Sequence, residues 1–135
     1  MRRYEEIEHT ADLAIRAYGR DMKELFANAA YGMFSAMGID LEAVRPTLRR
    51  EMCLEAPDRE ALLVDWLNEL LYLHETEGEI YTDFDIRALS AIELRANVMG
   101  TKGDDAEIVI KAATFHALKI ERIDKGYVAT IVFDI

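Results

Sequence analysis

Two spacings of apolar residues divide the chain. Alternation with a period of two, the mark of a half-buried strand, covers residues 2–8 and 13–18, where Leu13, Ile15 and Ala17 are set against Asp12, Ala14 and Arg16. It returns at 48–55, with Leu48, Arg50, Met52 and Leu54 facing away from Arg49, Glu51, Cys53 and Glu55. A spacing of three and four instead links Met22, Leu25, Phe26, Ala29, Ala30, Met33, Phe34 and Met37. That spacing predicts a helix capped by Asp21 and stopped by Gly38. A methionine-rich stripe also suits an adaptable groove, but at this spacing it is ordinarily core. Residues 39–46 read as a loop, and Pro57-Asp58 opens a second helix. In that helix Asp65, Asn68, Glu69 and Tyr72 form one narrow polar stripe, so it should be buried on most sides. Gly78 ends it. Strands are predicted beyond, at 80–89, 91–99, 107–115 running on into 117–123, and 127–134, with turns at 100–105 and 124–126. The order strand, strand, helix, strand, helix, strands fits an α+β fold: a mostly antiparallel sheet with two helices on one face, in a single domain spanning 1–135.

Composition narrows the function. A formal net charge of −10 repels a phosphate backbone, so direct nucleic-acid binding is not expected and partners should be cations or basic protein surfaces. No apolar run approaches the roughly 18 residues of a membrane span, and the first residues turn acidic where a secretory leader would turn apolar. A cytoplasmic protein with no membrane partner is expected. The single cysteine, Cys53, can form neither an intrachain disulfide nor a multi-cysteine metal site.

The last strand carries the main anomaly. Val128 and Val132 lie on one side of its pleat and Ile131 and Phe133 on the other, so both faces are apolar and the strand should run deep in a sheet. Asp134 and the carboxylate of Ile135 then place two negative charges at its tip. Either that tip reaches water or something positive meets it.

Few other residues can carry chemistry, because no glycine-rich phosphate loop, histidine pair at metal spacing or nucleophile elbow is present. His9, Thr10 and Asp12 fall in a turn between strands, a pattern that also occurs as a plain hydrogen-bonded bend. Lys111 interrupts an apolar run on an expected strand, where it is either functional or snorkels to an edge. His116 is expected on the same strand, and Asp65 on the wet side of the second helix.

Four separated stretches, in order along the whole chain, resemble the archease family. These are His9-Thr10-Ala11-Asp12 with Tyr18-Gly19 and Leu25-Phe26; Leu62 through Trp66 to Tyr72; Lys111-Ala-Ala-Thr-Phe-His116; and Val132-Phe133-Asp134-Ile135. The resemblance implies a sheet carrying two helices. It also implies a protein cofactor, not itself an enzyme, of the tRNA-splicing RNA ligase that joins 2′,3′-cyclic phosphate or 3′-phosphate ends to 5′-hydroxyl ends. Such a cofactor would promote guanylylation of the ligase's active-site histidine, multiple turnover and broader nucleotide use. By the same resemblance Asp12, Lys111 and Asp134 would activate the ligase, and Asp12, Asp134 and the carboxylate of Ile135 would hold a metal. Like charges so close cost roughly 1 kcal/mol per pair in water and about 4 near a protein surface. A divalent cation with oxygen ligands, calcium, magnesium or manganese, would relieve them. His9, Asp65 and His116 are secondary candidates. The segment between residues 99 and 111 departs from the family pattern in being short. Two other roles are open: a chaperone-like modulator of another tRNA enzyme such as a methyltransferase, as the family also implies, and a stand-alone metal-dependent hydrolase, for which the chain offers no evident nucleophile.

Overall fold

The computed structural model describes residues 1–7, 12–103 and 106–135. Strands β1 (Tyr4–Ile7) and β2 (Leu13–Gly19) lead into helix α1 (Met22–Ala36). A single 3-10 turn at Leu41–Ala43 precedes β3 (Leu48–Glu55) and helix α2 (Arg59–Glu77). Five strands complete the chain: β4 (Glu79–Leu89), β5 (Glu93–Lys102), β6 (Ala112–Ala113), β7 (Lys119–Ile123) and β8 (Gly126–Asp134).

The helices begin and end where their caps dictate. Asp21 accepts from the Glu24 amide at 2.8 Å and Asp58 from the Ala61 amide at 2.8 Å, each satisfying a donor that the first turn leaves open. Gly78 closes α2 in the left-handed conformation at φ 64°, which glycine adopts without strain.

The α+β architecture and its antiparallel pairing are those the pattern predicts, but the strands divide into two sheets. One orders β3-β5-β4; the other runs β1-β2-β8-β6, with β7 also paired to β8. Helix α1 packs against β2 and β8 of one sheet and β4 of the other, and its apolar face is fully buried at Leu25, Phe26, Ala29, Ala30, Met33 and Phe34. The methionine stripe is core. Phe34 meets Tyr81 edge-on and stacks on Phe84, and the Trp66 indole N–H donates to the Phe26 carbonyl at 2.9 Å, tying α2 to α1.

Two predicted elements differ. Residues 107–115 do not form a continuous strand: the amides of Glu107 and Ile108 instead donate to the Met37 carbonyl at the end of α1, at 2.8 and 3.2 Å. That carbonyl is one of those a helix terminus leaves open. Only Ala112 and Ala113 pair with β8. Lys111 therefore precedes a strand instead of lying in one. If the Ala113↔Phe133 register continued, Thr130 would face His116; it faces Lys119, so three residues loop out. His116 sits in that excursion, not on a strand, next to Ala117 at φ 55°.

The turn expected to begin at Gly100 is strand instead. β5 runs through Gly100 to Lys102, and a Cβ at Gly100 would lie 1.9 Å from the Ile80 carbonyl oxygen. The glycine serves close strand approach.

Candidate functional site

Strand β8 positions the site. It is central, with β2 along one edge and β7 then β6 along the other, and Ala129, Ile131, Val132 and Phe133 are buried on its two faces. Burial stops abruptly after Phe133. Asp134 is exposed, and Ile135 is 49% exposed.

The two neighbouring strands bring the other candidates alongside. Leu13 pairs with Phe133, so Asp12, half-buried, stands at the next step of the register, beside Asp134. On the opposite edge Ala112 pairs with Asp134, and the Lys111 amide donates to the Asp134 carbonyl at 2.7 Å. Asp12, Asp134 and Lys111 thus share one end of the five-stranded sheet. Among the described residues, the Asp134 carboxylate and the Lys111 ammonium make no ion pair, with each other or with any other group. A carboxylate and an ammonium held at neighbouring positions without pairing remain available to a third party.

The remaining candidates are less central. Asp65 is exposed on the polar stripe of α2, and His116 is exposed in the loop after β6, its amide donating to the Thr114 hydroxyl at 3.3 Å. His9 and Thr10 lie outside the described residues. Among the described residues no three His, Cys, Asp or Glu side chains cluster closely enough to hold a metal ion by themselves. A metal at this end would need an oxygen donor beyond the side chains of Asp12 and Asp134.

One residue that matters to the site was hidden in the polar stripe. Asn68 accepts from the Ala113 amide at 2.8 Å and donates to the Ala113 carbonyl at 3.2 Å, so its carboxamide grips the two-residue strand from the helix side. Thr114 holds the other side, giving its amide and hydroxyl to the Val132 carbonyl at 3.0 and 2.8 Å. Together these bonds fix the main chain that carries Lys111. The signal in the sequence was an asparagine amid leucines at mid-helix, where its propensity is poor.

A second acidic group lies in the other sheet. Glu79, 3% exposed at its side chain, is forked by the Arg50 guanidinium, with one contact at 2.9 Å, and accepts from the Tyr81 hydroxyl at 2.6 Å. Lys102 approaches to 3.6 Å. The Arg50 hydrogen bonds, aided by Tyr81 and the Lys102 charge, hold the Glu79 carboxyl down at about 2, against the opposing effect of burial. Burial and the Glu79 bond together push the Tyr81 hydroxyl up.

This geometry sits on a chain with clear relatives. Residues 4–135 match the archease protein family (MTH1598/TM1083). An archease of Saccharolobus solfataricus is 41% identical over 140 residues, covering all of both chains. One of Methanosarcina acetivorans is 38% identical over 142 residues, covering 99% of this chain and 97% of that one. The solution structure of Methanobacterium thermoautotrophicum protein 1598 superposes with a TM-score of 0.82 at 33% identity, over the full length of both. The crystal structure of a Thermotoga maritima archease, described as a possible chaperone, gives 0.67 at 26% identity, over 100% of this chain and 98% of that one. No helix among the described residues is long and apolar enough to cross a membrane. By the match over nearly its whole length and by its relatives, the chain belongs to the archease family.

Proposed function

We propose that this protein is the cofactor of a tRNA-splicing RNA ligase and presents the end of β8 to the ligase's active site, where it promotes guanylylation of the ligase histidine. The observation that carries the reading is Asp134: an exposed carboxylate, unpaired among the described residues, directly after the buried run Ile131-Val132-Phe133 of a central strand. Folding gains nothing evident from that charge. A rigid strand behind it costs little further entropy when the tip is placed in a cleft. Asp12 and Lys111, on the two flanking edges, enter the same cleft with it. Lys111 would meet a nucleotide phosphate or a ligase carboxylate.

The donor set at this end is all oxygen, which fits calcium, magnesium or manganese better than zinc or copper. Asp12 and Asp134 would each supply a carboxylate and Ile135 its main-chain carboxylate. Such an ion, when bound, would neutralise the acids and polarise a phosphate oxygen. The protein's own part is to hold the two aspartates at adjacent positions on rigid strands and to keep Lys111 within reach.

The test is to mix the protein with its cognate ligase and labelled guanosine triphosphate. Wild type should raise both the guanylylated fraction and the number of turnovers, and Asp134→Ala should raise neither. Full stimulation by Asp134→Ala would sink this mechanism. The Thermotoga relative is described as a possible chaperone, and a chaperone-like role would suit a second reading drawn from the family resemblance, a modulator of another tRNA enzyme such as a methyltransferase. Recovery of that enzyme, and no ligase, in a pull-down from the native extract would favour it.

A further inference from the structure

Four of the eight large apolar side chains that are exposed among the described residues directly follow β8 or lie on the segments either side of the β6 pairing that borders its tip: Ile108, Val109, Phe115 and Ile135. Single exposed apolar residues are ordinary. A set on the segments that border two charges unpaired among the described residues, Asp134 and Lys111, is not.

Folding does not account for them. Of the run Ile108-Val109-Ile110, the core takes only Ile110, 6% exposed, while Val109 is 74% exposed. Phe115, at 59%, follows Thr114, whose amide is bonded to Val132, and Ile135 follows the Asp134 carbonyl that receives the Lys111 amide. These residues ride on main chain anchored at Met37, Asn68, Val132 and Asp134. The rim is therefore preformed, and covering it with a partner requires little ordering.

We propose that Val109, Phe115 and Ile135 form an apolar rim that seats the acidic tip in the mouth of the ligase's active site. This rests on the ligase reading above. The partner surface is then a cleft with a positively charged floor for Asp134 and apolar walls for the rim. Charge selects that occupant. A second copy of this chain would bring like acids together at the same tip, in a protein of net charge −10. The rim then sets affinity and the acids set activation. Interfaces commonly divide in this way, with apolar anchors at the contact and charges placed for specificity.

The experiment titrates wild type, Val109→Ser/Phe115→Ser, Val109→Leu/Phe115→Leu and Asp134→Ala into a fixed amount of ligase and follows guanylylation. Circular dichroism melts confirm that each variant is folded. The serine pair should raise the half-maximal concentration about tenfold or more while reaching the wild-type maximum. The leucine pair should restore the wild-type midpoint, and Asp134→Ala should lower the maximum. An unchanged midpoint for the serine pair overturns the rim while leaving the ligase reading intact. No stimulation by wild type overturns both. A wild-type dimer in sedimentation that the serine pair dissociates, with no change in the titration, assigns the rim to self-association and also overturns the proposal.

Discussion

Two carboxylates in this molecule are treated in opposite ways. Glu79 is buried and its compensation is built in: Arg50 from β3, Tyr81 from its own strand and Lys102 from β5 converge on it. Asp134 ends a more apolar strand, yet it is exposed and unpaired among the described residues. A charge whose counter-charges belong to the same chain holds the fold together. A charge left exposed and without a counter-charge among the described residues is offered outward.

The two acids should therefore fail differently when removed. The largest effect is expected for Asp134→Ala, which should lower the maximal guanylylated fraction to near that of the ligase alone, even at saturating concentration. Chemical denaturation should place its stability within about 0.5 kcal/mol of wild type, as for an exposed site. A large loss of stability would erase the contrast. Glu79→Ala should do the reverse, costing about 2–3 kcal/mol by leaving the Tyr81 hydroxyl unbonded and Arg50 with only Glu77, 3.7 Å away. Enough of that variant to saturate the ligase should still give the full guanylylated fraction in the same assay.

Asn68→Ala lies between the two. It leaves the amide and carbonyl of Ala113, a residue 4% exposed, without partners, at a cost of about 1–3 kcal/mol. Because it loosens the main chain carrying Lys111, hydrogen exchange at Lys111 should quicken, and stimulation of the ligase should fall with it. The smallest effect concerns pH. The Glu79 carboxyl sits at about 2 in the fold against an ordinary 4.5, so the folded state binds its proton less readily than the unfolded chain. Its contribution is complete above about 4.5 and is lost as pH falls towards 2. Urea midpoints measured from pH 7 to 2 should therefore decline less steeply for Glu79→Gln than for wild type.

Much of this was readable from local pattern. Asp21 and Asp58 announced both helices, Gly38 and Gly78 ended them, and the two apolar faces of residues 127–134 marked a central strand with an acid out of place at its tip. What failed depended on distant partners. The β-branched run at 108–110 has a strand's composition, but the Ile108 amide, with that of Glu107 before it, is taken by the end of α1, and the run's side chains are divided between core and surface. Gly100 sits in turn-like company, and only the Ile80 carbonyl across the ladder shows why it is glycine. Arg50 and Glu79 are 29 residues apart, and no spacing rule joins them. The partition of strands into two sheets is likewise a choice of long-range pairing that each strand's own pattern leaves open.

The grip of Asn68 on Ala113 also closes an edge. β6 is the last strand on its side of the five-stranded sheet, and the amide and carbonyl of Ala113 point away from β8, where another chain's strand could add. A side-chain carboxamide, one donor and one acceptor on a helix, stands in for that missing strand. The sheet ends there because an asparagine completes it, and the protein can display an apolar rim a few residues away without inviting its own copies to zip onto it.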